Sequence, residues 1–326
     1  MSGRTFKCVY RKFKLNNYSM NKLTIALILS TMAFTSLAQQ SVEAFSPPTF
    51  EKIPNVRDLS ITADGTEMYF TAQSVRQDFS AIMVSKKTRK GWSQPEVASF
   101  SGQFKDIEPF LSKDGLTLYF ASNRPVEGRE AEKPNYDIWK VNRASLVSAW
   151  SAPTNLGAPV NTEVDEFYPS VAASGNLYFT AQREGTKGKE DIFISRFKGG
   201  NYEAPESLPE AINSSGYEFN AFVDFNESYI LFTGYGREDG LGGGDLYISR
   251  KNEKGEWQPA RHIEAPVNSN SLDYCPYTFD GALYFTSNRS NLKPTYEKAL
   301  TTEELLSELN QVANGKSRIY YVKWED

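Results

Sequence analysis

Short apolar and aromatic runs bounded by turn residues recur along most of the chain, which is the pattern of strands rather than helices. The clearest marker is a Tyr-Phe pair at Tyr69-Phe70, Tyr119-Phe120, Tyr178-Phe179 and Tyr284-Phe285, with Leu231-Phe232 in the fourth place; successive markers are 50, 59, 53 and 53 residues apart. A turn pair precedes each: Asp64-Gly65, Asp114-Gly115, Ser174-Gly175, Asn226-Glu227 and Asp280-Gly281. Asp-Gly between apolar runs predicts a hairpin, because Gly takes positive φ without steric cost. Five copies of one unit are therefore expected.

Each unit resolves into four runs. The first is Glu108-Pro-Phe-Leu-Ser, matched by Tyr168-Pro-Ser-Val-Ala and Cys275-Pro-Tyr-Thr-Phe, and the second carries the Tyr-Phe marker. The third is Asp137-Ile-Trp-Lys-Val, with Asp191-Ile-Phe-Ile-Ser, Asp245-Leu-Tyr-Ile-Ser and Ile319-Tyr-Tyr-Val-Lys, and the fourth is Trp92-Ser-Gln-Pro, Trp150-Ser-Ala-Pro, Tyr202-Glu-Ala-Pro and Trp257-Gln-Pro. Four antiparallel strands per unit, repeated radially, predict an all-β, five-bladed β-propeller in which neighbouring blades bury each other's faces. The fourth run is absent after the fifth copy. Phe45-Ser46-Pro47-Pro48-Thr49 aligns with Trp150-Ser151-Ala152-Pro153-Thr154, so an N-terminal strand starting at Phe45 is expected to complete the last blade; the alternative is a loose linker over 45–54.

Two insertions interrupt the period. Residues 124–136 read as a polar loop in blade 2, and 296–315 in blade 5 are helical by pattern. Thr301 and Glu304 form a capping box, Leu305, Leu309 and Val312 make one apolar face, and Asn314-Gly315 supplies the stop. This helix is expected to lie on one face of the ring as a lid or brace.

The first forty residues differ in kind. Residues 23–38 hold an apolar run too short to span a bilayer, preceded by Arg4, Lys7, Arg11, Lys12, Lys14 and Lys22 and followed by the small residues of Ser36-Leu37-Ala38. That is the layout of a signal peptide, with cleavage expected after Ala38 and a propeller domain over 39–326. Met20 has the look of a natural start, which would make residues 1–19 an upstream extension. Removing 1–38 deletes six bases and no acid, taking the formal charge from −4 to −10. A mature acidic chain with no basic tract has little electrostatic reason to hold nucleic acid. Periplasmic or secreted localisation, no membrane span after leader removal, and a monomer are expected.

The chain has one histidine, His262, and two cysteines, Cys8 and Cys275. This excludes a multi-His metal centre, a cysteine-rich zinc site and a disulfide framework, and any serine-hydrolase triad would depend on His262. Cys275 reads as a packed residue rather than a nucleophile. The Gly-rich run Glu238 to Asp245 lacks the Gly-Lys-Ser/Thr of a phosphate loop and reads as a tight turn. Trp92, Trp150 and Trp257 share one repeat position and are expected between blades.

The run Asp114 to Arg124 with Asp137-Ile138-Trp139, and the run Asp280 to Arg289, resemble the WD-like β-propeller repeat of the TolB type. The resemblance spans roughly 45–326 and is specific for fold rather than activity. It implies a bacterial exported propeller that binds an envelope protein or a small ligand. The chain differs from TolB itself in showing five repeats with no α/β domain before them, and it lacks the C-terminal peptidoglycan-binding domain often fused to such repeats.

Two sets of repeated charges are candidate site residues. Asp106, Glu166, Glu218 and Asp273 sit just ahead of the first-strand Pro or its equivalent, with Val56 at the matching position of the first copy. On the innermost strands they could cap turns or pair with the Arg of their own repeat, gather to bind a ligand or a cation such as Ca²⁺, or act as catalytic carboxylates on a glycan. Arg124, Arg183, Arg237 and Arg289 recur after the second strand and Asp137, Asp191 and Asp245 at the start of the third, which predicts a structural Arg–Asp fork within each blade. No cofactor is called for. The leading expectation is a non-catalytic binding module, and the alternative a five-bladed glycan-acting hydrolase using the four acids.

Overall fold

Each turn pair closes a hairpin between a first and a second strand. Gly65, Gly115, Gly175 and Gly281 all have positive φ; blade 4 lacks the Gly, and Glu227 takes φ 58° in its place. The Glu227 carboxylate then accepts bonds from Asn176 (3.0 Å) and Ser174 (3.1 Å) of blade 3.

In a computed structural model, which describes residues 41–126 and 135–324, these hairpins grow into five antiparallel sheets. Blade 1 holds Asn55–Ile61, Glu67–Gln73, Ser80–Thr88 and Glu96–Val97, and blade 2 holds Asp106–Leu111, Thr117–Ser122, Asp137–Asn142 and Thr154–Asn155. Blade 3 holds Glu166–Val171, Leu177–Ala181, Asp191–Ser195 and Glu206–Ser207, and blade 4 Tyr217–Val223, Tyr229–Tyr235, Asp245–Arg250 and Arg261–His262. Blade 5 holds Asp273–Phe279, Ala282–Ser287 and Arg318–Lys323 and takes its outer strand, Glu43–Ala44, from the other end of the chain. First strands neighbour one another all the way round, blade 5 against blade 1, so the propeller is closed.

The Tyr-Phe marker records how the blades pack. Successive side chains point to opposite faces of a sheet, and here both faces meet another blade. Phe70, Phe120, Phe179, Phe232 and Phe285 are all buried, each worth roughly 1.5–3 kcal/mol relative to exposure. Trp150 lies between blades as expected, its ring edge-on to Tyr69 and its Nε1 donating to Tyr69 Oη at 3.0 Å.

The latch forms, but not where the aromatic alignment puts it. Glu43 and Ala44 pair with Tyr321 and Tyr320, and Phe45 N–H donates to Ile319 O (2.9 Å) as Leu156 N–H donates to Ile138 O (3.1 Å) in blade 2. Phe45 is thus the equivalent of Leu156 rather than Trp150, and Pro47–Phe50 is a helical turn, not strand. Phe45 packs edge-on against Tyr284 and Tyr321 of the blade it closes.

The helical insertion is shorter than its pattern. It spans Thr302–Asn310, with both bonds of the Thr301–Glu304 capping box made. No residue of the helix is buried, and Leu305, Leu306 and Leu309 are exposed, so its apolar face does not brace the ring. Residues 1–40, with the expected signal peptide, and residues 127–134, within the expected polar loop, lie outside the described residues. No helix among the described residues is long and apolar enough to cross a membrane.

Candidate functional site

The four first-strand acids are fully buried, each engaged by its own blade and the loop that feeds it. Asp106 accepts from Ser101 Oγ (2.7 Å), Ser122 Oγ (2.6 Å) and Arg124 Nη2 (2.6 Å). Glu218 accepts from Ser214 N and Oγ (2.8 and 2.6 Å) and Arg237 Nε (3.1 Å), and Asp273 from Ser269 N and Oγ (both 2.7 Å) and Arg289 Nη2 (2.8 Å). Glu166 is bound by Thr162 Oγ1 at 2.6 Å, but Arg183 stands off at 3.9 Å. With its charge less well matched, burial pushes Glu166 up to about 7, against the bonds from Thr162.

The arginines therefore choose the first-strand acid, not the third-strand Asp of the expected fork. Each guanidinium is anchored to a carbonyl on the first-strand side, Arg124 to Phe100 O, Arg183 to Val160 O and Arg289 to Val267 O. It then covers the aromatic pair of the second and third strands: Arg124 lies over Phe120 and Trp139, Arg237 over Phe232 and Tyr247, Arg289 over Phe285 and Tyr320. The third-strand acids are claimed locally. Asp137 takes Asn155 Nδ2 (2.7 Å), Asp191 takes Ser207 Oγ (2.6 Å) and Lys187 N–H (2.8 Å), and Asp245 takes Leu241 N–H (2.8 Å).

A second repeated device escaped the sequence reading. Asn161, Asn213 and Asn268 are buried, and each clamps a third strand by accepting from and donating to one residue, Ile138, Ile192 and Leu246 respectively. The signal was present as an Asn five residues ahead of Glu166, Glu218 and Asp273, followed each time by Ser or Thr.

Two residues beyond the acid position lies a ring of another kind. Asp58, Glu108, Tyr168, Asn220 and Cys275 all have φ between 49° and 62°, and each sits where the first-strand register shifts. This is a β-bulge repeated five times on the innermost strands, and its five side chains are all different. Arg57 Nη2 reaches Glu108 Oε1 at 2.8 Å, Arg57 Nε reaches Asp58 Oδ1 at 2.9 Å, and the guanidinium rests over Tyr274. Burial pushes Glu108 upward, Arg57 opposing it and Asp58 adding to it. The same burial raises the Cys275 thiol well above its ordinary value, so it is not poised as a nucleophile.

One substitution explains part of the asymmetry. Glu108 N–H donates to Thr71 Oγ1 (3.0 Å) and Asp58 N–H to Thr286 Oγ1 (3.3 Å), tying successive blades. Blade 2 has Ala121 at that threonine position, and the Tyr168 N–H goes instead to Glu108 Oε2 at 2.7 Å.

Above this ring, at the end where first strands begin, opens a cavity of about 420 Å³ lined by Asn135, Glu163, Val164, Asp165, Phe167, Gln182 and Glu190. Phe167 stacks tilted on Tyr136 (5.1 Å) and packs below against Tyr168, Tyr274 and Cys275. Asp165 is held by Tyr136 N–H at 2.7 Å, and burial followed by the nearby Asp165 raises Glu190. Tyr217 bridges to Glu190 and pairs with Tyr235; both rings are exposed. The connections on this side are unequal (74–79, 123–136, 182–190, 236–244 and 288–317), whereas the hairpins at the opposite end are near-uniform. None of these mouth residues is repeated, which is why the period did not point to them.

The remaining candidates have structural partners. His262 Nε2 meets Asn268 Nδ2 at 3.0 Å and lies 3.7 Å from Asp245. The Gly-rich run docks on blade 5: a Cβ at Gly242 would collide with the Ser271 carbonyl, and Gly243 N–H donates to that same oxygen at 3.0 Å. Among the described residues, no three His, Cys, Asp or Glu side chains gather closely enough to hold a metal.

No family model matches the sequence. No curated protein matches it either. Among solved structures the protein is similar to BT0996 in its RGII complex (TM-score 0.52, 8% identity, 89% of this protein and 92% of that one). It is also similar to a glycoside hydrolase (TM-score 0.51, 9% identity, 83% and 88%). A putative TolB from Agrobacterium tumefaciens is similar as well (TM-score 0.47, 14% identity, 76% and 78%). At these identities the likeness is one of fold alone.

Proposed function

We propose that the protein is an exported, non-catalytic binding module that takes a protein or small ligand of the bacterial envelope at the mouth of its propeller. The mouth cavity carries this reading. It joins an aromatic floor to carboxylate and amide groups, on the side where all the unequal loops gather, while the repeated acids beneath it are occupied in holding blades together. Exposed Tyr217 and Tyr235 extend the same surface, and aromatic rings beside polar groups are what recognition surfaces are made of.

A second reading has one observation in its favour. Glu190, raised by burial and by the nearby Asp165, is a carboxyl suited to donate a proton in the mouth, and one of the similar structures is a glycoside hydrolase. This would place glycan hydrolysis on Glu190 and Asp165 rather than on Asp106, Glu166, Glu218 and Asp273. The two readings part on one experiment: purified protein on a panel of glycans, beside Glu190→Gln and Glu166→Gln. No turnover by any form supports binding alone; turnover lost in Glu190→Gln overturns it. Export is tested by fractionation, with the mature chain expected in the periplasm or medium without residues 1–38.

A further inference from the structure

The opposite end of the channel is closed by aromatic rings and carries a cavity of its own, about 360 Å³. Phe110 and Phe222 meet there at 6.3 Å, and Phe225 covers Phe110 at the same distance. Two cations from different blades line this cavity. Lys113 reaches over the Phe225 ring (5.9 Å) and Arg250 lies over Tyr229 (5.4 Å), and neither has an ion-pair partner among the described residues. The one acid in the wall, Asp224, is consumed by its own turn, accepting from the N–H groups of Asn226 and Tyr229 (both 3.1 Å) and of Ser228. The cavity is therefore positive on a chain whose net charge is −4.

The repeat shows that folding does not require this arrangement. Lys113 and Phe225 occupy one position of the first hairpin, which holds Ala63 in blade 1 and Ala173 in blade 3. Ser228, Asn226 and Thr278 add hydroxyl and amide groups to the wall. An aromatic face, neutral hydrogen-bonding groups and two cations together match a polyhydroxylated ring that bears a carboxylate. We propose that this floor cavity binds an acidic sugar, a hexuronic acid unit, with its carboxylate toward Arg250 and Lys113 and its ring against Phe225. The site lies at the far end from the mouth, and the proposal goes beyond the mouth reading without depending on it.

The test titrates the full protein by NMR at low salt with galacturonate, with galactose as the uncharged counterpart, and with inorganic phosphate. Saturable shifts with galacturonate are expected, with galactose weaker by about tenfold or more and Arg250→Gln weakening galacturonate by about tenfold. Phe225→Ala should weaken galacturonate and leave phosphate unchanged. Arg250 is partly exposed at a strand end, so Arg250→Gln decides the matter even if Phe225→Ala fails to fold. No saturable galacturonate binding, equal binding of galactose, or phosphate binding as tightly as galacturonate would each overturn the assignment.

Discussion

Two positions only two residues apart on the innermost strands behave in opposite ways. At the first, blades 2 to 5 carry Asp106, Glu166, Glu218 and Asp273, all buried and all bound by a hydroxyl of the preceding loop. At the second, the five blades carry Asp58, Glu108, Tyr168, Asn220 and Cys275, with one backbone geometry and five different side chains. The repeated position serves what every blade needs, a neutralised tie between its strands and the loop that feeds it. The unrepeated position is free to differ because the bulge, not the side chain, does the shared work. Blade 1 shows the contrast in one place: it has Val56 at the first position and spends its arginine, Arg57, on Glu108 of the next blade.

The largest break in this contrast should come from the repeated set. Arg124→Ala leaves Asp106 buried without its cation and uncovers Phe120 and Trp139; a loss of about 3–5 kcal/mol in urea unfolding is expected. A loss below about 1 kcal/mol would mean the tie is ornamental. Thr162→Val removes the hydroxyl from the one acid whose arginine stands off, and about 1.5–3 kcal/mol is expected. Glu108→Gln keeps the shape in the unrepeated ring, still offers an oxygen to Tyr168 N–H, and should cost about 1–2 kcal/mol. Adding Ala121→Thr to it restores the hydroxyl its neighbours have and should recover about 0.5–1 kcal/mol, while no recovery would argue against Glu108 standing in for the missing threonine.

The pH dependence has a definite sign. Glu166 is raised from 4.5 to about 7, and Glu108 shifts the same way. The folded chain then holds protons that the unfolded chain has lost, so this contribution is complete below the unfolded value and disappears as pH rises toward about 7. Unfolding free energy should fall across that window, and less steeply in Glu166→Gln. An unchanged slope in that variant would assign the dependence to other groups.

The turns, the aromatic markers and the five-fold count were legible because each is a local demand repeated in every blade. The latch was legible in kind but not in register. Phe45 resembles Trp150 as an aromatic before a proline, yet a two-residue strand has no alternation to fix its pairing, and the backbone bond to Ile319 placed it with Leu156. The arginine partner stayed open in the sequence because every repeat offers two acids, and only the carbonyl anchor at Phe100, Val160 or Val267 decides between them. Glu163, Asp165, Glu190 and Tyr217 left no periodic trace; they come together only when loops of blades 2, 3 and 4 meet over the ring.

The most direct test of the division between frame and mouth is retention of an envelope partner by immobilised protein. Wild type is compared with Phe167→Ala/Glu190→Gln, both required to unfold within about 3 °C of each other. A species held by wild type and reduced at least about tenfold on the double variant, a difference of about 1.4 kcal/mol, is the predicted result. Equal retention of that species by both proteins would contradict it.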